Sequence, residues 1–119
     1  MAETVYASAE GFIEFDVEER QLDSEEDVLD FTIRTPGTQD SGGAVLIRGT
    51  IWPELLALLD EADARPKRHD WVAFSGAYSE REVKGNLYRN INVRRIAIGG
   101  QTFMVDSDDR KVVKKKRAF

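Results

Sequence analysis

Arg81, Lys84, Tyr88, Asn90 and Arg94 fall close together in "DWVAFSGAYSEREVKGNLYRNINVRRIAIGG", residues 70 to 100. Their chemistry is noncovalent. Arginine and lysine neutralise phosphates and release counterions, a tyrosine face stacks on a base, and asparagine amides suit sequence-tolerant contacts beside it. Trp71, at the start of the same stretch, has the outward parity of its strand and could also stack. Arg34 and Arg48 belong to earlier strands and extend the basic set.

Bond-making chemistry finds little to work with. The chain has no cysteine and a single histidine, His69 in "RPKRHD", so a thiolate nucleophile, an imidazole metal cluster and a serine-histidine-aspartate constellation all lack parts. Glu80 and Glu82 share a face, but acid-base work needs an enclosed pocket to shift a pKa, and a hairpin arm offers none. The "SGG" and "IGG" runs lack the strand-glycine-helix setting of a phosphate-cradling loop. No catalytic residue, metal or cofactor is expected.

Net charge is −5, which looks hostile to a polyanion, but placement matters more than the sum. Residues 1–30 carry eleven acids against Arg20 alone, whereas residues 31–105 carry ten Lys/Arg and eight acids, and 106–119 six and three. The acid is segregated at the front, and the remainder is free to present a basic face.

These side chains need strands to hold them. "TVYASAEGFIEF" alternates and then meets Gly11, a bend or bulge signal, while "DVEERQLDSEED" reads as a charged, solvated loop. In "VLDFTIRT", Leu29, Phe31 and Ile33 face one way and Asp30, Thr32 and Arg34 the other. "PGTQDSGG" is made of turn residues and leads into the strand "AVLIRGTIW". The helix "PELLALLDEADAR" has Pro53 at its first position and an apolar stripe of Leu55, Leu58, Leu59 and Ala62. Trp52, just before it, reads as a core plug. A long hairpin turns at Lys84-Gly85-Asn86, with Leu87, Arg89, Ile91 and Val93 on one face of the return strand and Tyr88, Asn90, Asn92 and Arg94 on the other. "QTFMV" could extend the sheet.

Three strands, a helix and two strands is the order of an OB-fold, a mainly β, five-stranded Greek-key barrel with its helix between strands 3 and 4. Taken together, "VLDFTIRT", "AVLIRGTIWPELLALL" and the long hairpin resemble the DNA-binding domain of bacterial single-stranded DNA-binding proteins, over roughly residues 4 to 105. The resemblance implies base stacking and phosphate contacts on the outer barrel face. Arg81 matches a basic position on the hairpin arm and Tyr88 a tyrosine on the return strand. Val83 and Arg48 stand where the family often has a stacking tryptophan and phenylalanine, so modest affinity with steep salt dependence is expected. The basic "KVVKKKR" before Phe119 departs from the family's acidic tail.

The expectation is an OB-fold domain over 1–105 with a charged tail at 106–119. It binds single-stranded DNA in replication, recombination or repair through Arg34, Arg48, Trp71, Arg81, Lys84, Tyr88, Asn90 and Arg94. Resemblance implies a homo-oligomer, a tetramer or dimer, with replication or repair proteins as further partners. Without an apolar leader or span, the default location is cytoplasmic, with no membrane role. The rival expectation is an OB-fold interaction module that meets another protein through its acidic N-terminal segment.

Overall fold

The computed structural model describes residues 4–35 and 45–105. Seven strands and one helix follow in the order β1 (Val5–Ile13), β2 (Glu18–Gln21), β3 (Asp27–Thr35), β4 (Val45–Ile51), α1 (Pro53–Glu61), β5 (Trp71–Val83), β6 (Asn86–Ile98) and β7 (Gln101–Met104). The turn-rich connection at 36–44 and the charged tail at 106–119 lie outside the described residues.

Alternation does most of the folding. Leu29, Phe31 and Ile33 on β3, Val72 and Phe74 on β5, and Ile91 and Val93 on β6 are buried in one core with Ile13 and Ile51. Phe31 and Phe74 meet edge to face, their ring centroids 4.9 Å apart. The sheet closes because β1 serves two neighbours. It runs antiparallel to β5 from Val5 opposite Tyr78 to Phe12 opposite Trp71. At its end Phe12 and Ile13 also pair with Arg34 and Ile33 of β3. Gly11 sits at this junction, where a Cβ would run into the backbone carbonyl of Arg34. β3 pairs antiparallel with β4, β4 parallel with β6, and β6 antiparallel with β5, completing the cycle.

Two elements correct the expected layout. The charged run expected to be a loop contains β2, an edge strand laddered on β3 from Glu18 opposite Asp30 to Gln21 opposite Asp27. All four of its residues are exposed, so it has no apolar face to announce it. β7 pairs with β6, as "QTFMV" suggested. The barrel strands therefore belong to a seven-stranded sheet, and the helix follows the fourth strand of the chain rather than the third.

The helix is also shorter than its apolar stripe suggested. It ends at Glu61, with Ala62 capping and Asp63 in the left-handed region at φ 53°, so the buried face is Leu55, Leu56 and Leu59, not one reaching Ala62. Arg65 fastens this end. Its Nε donates to Asp60 Oδ1 at 2.5 Å and its Nη1 to Glu19 Oε1 of β2 at 3.2 Å, which raises its pKa and lowers that of Asp60. No helix among the described residues is long and apolar enough to cross a membrane.

Candidate nucleic-acid interface

The outward residues of β3, β4 and β6 are polar and fall in register. Asp30 lies opposite Thr50, Thr32 opposite Arg48, and Arg48 and Thr50 lie beside Asn90 and Asn92. The hairpin arm of β5 and β6 continues this surface past the barrel's end, placing Arg81 opposite Tyr88. Together with β2 and the segment after β1 they bound a groove of about 910 Å³. Arg20, Arg48, Arg81 and Arg89 line it, and among the described residues no carboxylate does. Phe15, Trp52 and Tyr88 supply aromatic faces, and Leu46 and Leu87 add apolar surface.

A hydrogen-bonded chain forms the floor. Asp30 is 2% exposed, and its Oδ2 accepts from Arg20 Nε at 2.6 Å and from Arg48 Nη2 at 2.6 Å. Burial pushes this carboxyl up, but hydrogen bonds from Arg20, Arg48 and Thr50 outweigh it and hold the pKa below the ordinary value. Arg20 is raised in turn, chiefly by its bond to Asp30. Thr50 Oγ1 lies 2.9 Å from Asp30 Oδ1 and 3.1 Å from Asn90 Oδ1. A hydroxyl has one proton to give and the charged carboxylate is the stronger acceptor, so the Asn90 carbonyl keeps accepting capacity at the groove. Asn92 Oδ1 accepts from Trp52 Nε1 at 3.1 Å and from Asn90 Nδ2 at 3.4 Å. The indole is thereby fixed at the groove wall, half-buried rather than a core plug.

Of the residues singled out in the sequence, Arg48, Arg81, Tyr88 and Asn90 come together in this groove. Arg34 is held by Glu14, its Nε 3.2 Å from Oε1. Lys84 occupies the hairpin tip with φ 53°, followed by Gly85 at φ 83°, the pair of left-handed residues a tight two-residue hairpin demands. Trp71 stands on another surface, in a shallow depression with Glu10, Ala73 and Arg95, its ring edge-on to Phe12 at 4.8 Å.

Arg94 departs from the expected parity for a physical reason. Ser75 is opposite Arg95 but Gly76 is opposite Val93, so Arg94 is the extra residue of a β-bulge. The bulge re-aims its side chain, and the guanidinium sits 4.4 Å over the Tyr6 ring on β1.

Arg20, Phe15 and Trp52 escaped the sequence reading of the site. Arg20 is the only basic residue in an acidic run without a recognisable strand pattern, and Phe15 closes the first alternating run, where nothing marks it as part of a site. The signal available for Arg20 was its alternation with Glu18, which is strand spacing without hydrophobicity. Arg89 was set on the core face by parity, yet it lines the groove because the arm extends beyond the barrel and has no core beneath it.

Neither a protein-family model nor any curated protein matches the sequence. Solved structures do. The mitochondrial single-stranded DNA-binding protein of S. cerevisiae superposes with a TM-score of 0.60 at 14% identity, over 82% of this chain and 96% of that one. A small single-stranded DNA-binding protein of Streptomyces coelicolor gives 0.61 at 14% identity, over 82% and 95%. The second such protein of Mycobacterium smegmatis gives 0.61 at 10% identity, over 82% and 90%. The chain has the fold of the single-stranded DNA-binding proteins. At these identities the likeness concerns the backbone path alone. Among the described residues no group of three or more His, Asp or Glu is placed to hold a metal ion.

Proposed function

We propose that the chain binds single-stranded DNA in a sequence-tolerant way, with the outer groove of an OB barrel as its site. The observation that carries this is the groove lining, which among the described residues is four arginines and no carboxylate, interleaved with three aromatics and two asparagines. Arg81, Arg89 and Arg48 neutralise phosphates, while Tyr88, Trp52 and Phe15 offer faces for bases. The half-buried Asn90 and Asn92 amides accept and donate along base edges without committing to one base. The step is binding alone, and coating a strand in replication, recombination or repair is the role it would serve. The Greek-key barrel with the helix closing one end, and a homo-oligomer built from it, belong to the same proposal.

The test is fluorescence anisotropy of a labelled oligothymidine titrated with the protein at low and moderate salt, with duplex of equal length as competitor. Tight binding at low salt that weakens steeply with salt and survives the duplex is the expected result. No binding at low salt overturns the proposal, and a partner protein sought through the acidic N-terminal segment becomes the next experiment.

A further inference from the structure

We propose that Arg20, Arg48 and the buried Asp30 carboxylate between them form a single phosphate-binding site, in which Asp30 acts as a positioning residue. This rests on the groove being a nucleic-acid site. It adds to that reading an acid that promotes the binding of an anion.

Arg20 reaches Asp30 with Nε at 2.6 Å and Nη2 at 3.4 Å, and Arg48 reaches it with Nη2 at 2.6 Å. A guanidinium carries five N–H donors in a planar fork, so most donors on both side chains are left over. Those side chains are 48% and 45% exposed, whereas the carboxylate is almost wholly covered by them. The exposed surface of the cluster is therefore donors only. Its formal charge is two cations less one anion, a single positive charge that one phosphodiester neutralises.

Without Asp30 two guanidinium groups would repel each other and wave as long, flexible side chains. With it they are oriented before a ligand arrives, and less conformational freedom is lost on binding. The planar fork matches phosphate oxygens better than an ammonium does. β2 gains a purpose on this reading. It is a short, wholly exposed strand laddered on β3, and it brings the one basic residue of the acidic front to the groove.

The distinguishing variant is Asp30→Asn, nearly isosteric and lacking the negative charge. Simple electrostatics expects removal of an acid beside a polyanion to tighten binding. The proposal expects labelled oligothymidine to bind about tenfold more weakly at low salt. The slope of log K against log salt should also shrink by about 0.7, the share of one phosphate on a single strand. Arg20→Gln should give the same loss and the same slope change. Arg20→Lys, which keeps the charge and loses the fork, should fall between. Arg65→Gln, cutting the other attachment of β2, should leave binding unchanged. Circular dichroism establishes that each variant is folded, and if Asp30→Asn is not, the exposed Arg20 pair decides. Competition by inorganic phosphate at fixed ionic strength separates a free-phosphate site from one that needs the strand. It should displace the oligonucleotide only weakly, and displacement at equal phosphate concentrations would overturn the assignment to a strand phosphate. Binding by folded Asp30→Asn as tight as wild type or tighter, or wild-type affinity and slope in Arg20→Gln, overturns the proposal. Failure of the wild-type protein to bind oligothymidine overturns the functional reading beneath it as well.

Discussion

Tyr88 stands half-exposed at 52% on the hairpin arm, opposite Arg81, where its ring is available to a base. Tyr88→Ala should weaken binding of oligothymidine by about 1–3 kcal/mol, the usual worth of a stacked base, whereas Tyr88→Phe, which keeps the ring, should stay within about twofold by the same reasoning. Anisotropy titrations of both variants check this, and equal losses would show that the hydroxyl rather than the ring matters. Asp30 makes a different kind of prediction. Its folded-state pKa lies below the unfolded value near 3.8, so the stabilisation it gives is complete above that value and is lost as pH falls through the folded pKa. Asp60, depressed by Arg65, contributes in the same direction. Urea midpoints should fall on acidification, and Asp30→Asn, less stable by about 1–3 kcal/mol at neutral pH, should show a shallower acid decline. Outward parity placed Tyr88 and Asn90, and the family resemblance singled out Arg48 and Arg81, on the surface that lines the groove. Neither could show that Asp30 would be buried, because what covers it is Arg20, delivered from ten residues upstream by a strand the pattern does not reveal.

The hairpin of β5 and β6 works as an element because its register changes once. Before the bulge Ser75 faces Arg95, and beyond it Gly76 faces Val93. A Cβ on Gly76 would land on the backbone carbonyl of Asn92, which has no flexible end to yield. Gly76→Ala should therefore destabilise the barrel by about 1–3 kcal/mol or more, as overpacking does, and should also disturb the Asn92 wall of the groove. Thermal melts together with the oligothymidine titration check both effects, and an unchanged melting temperature would contradict the close approach. Elements with an apolar period, β1, β3, β4, β5, β6 and α1, are legible because one face of each must be buried. β2 is not legible, since "EERQ" is polar throughout and is held by its ladder to β3 and by the Arg20–Asp30 and Arg65–Glu19 pairs rather than by an apolar face. The bulge is half legible. Gly76 marks it, but only the three-dimensional register shows that Arg94, not Gly76, is the extra residue and that outward parity fails there.

The whole molecule has two dissimilar outer faces. The groove face is basic. The face of β1, β5 and β7 carries Tyr6, Phe12, Trp71 and Met104, each about half exposed, with Ala73 and Ala97 in register between them. Glu10 and Arg95 share that face, so it is a mixed surface in which half-exposed aromatics stand among polar groups, of the kind an interface between copies covers. A homo-oligomer that buries it would point the grooves outward and let one long strand visit several of them. Each further groove would then bind at a high effective concentration, so affinity should rise with oligonucleotide length more steeply than site counting allows. The double variant Phe12→Asp, Trp71→Asp should break this association. In sedimentation equilibrium the wild type should exceed the 13.5 kDa of one chain and the variant should approach it. An oligothymidine short enough for one groove should bind both proteins alike, because neither residue lines the groove. A long one should bind the variant more weakly, by about 10²-fold where two grooves were engaged. If the wild type sediments as a single chain, that face does not join copies and the length dependence should vanish with it.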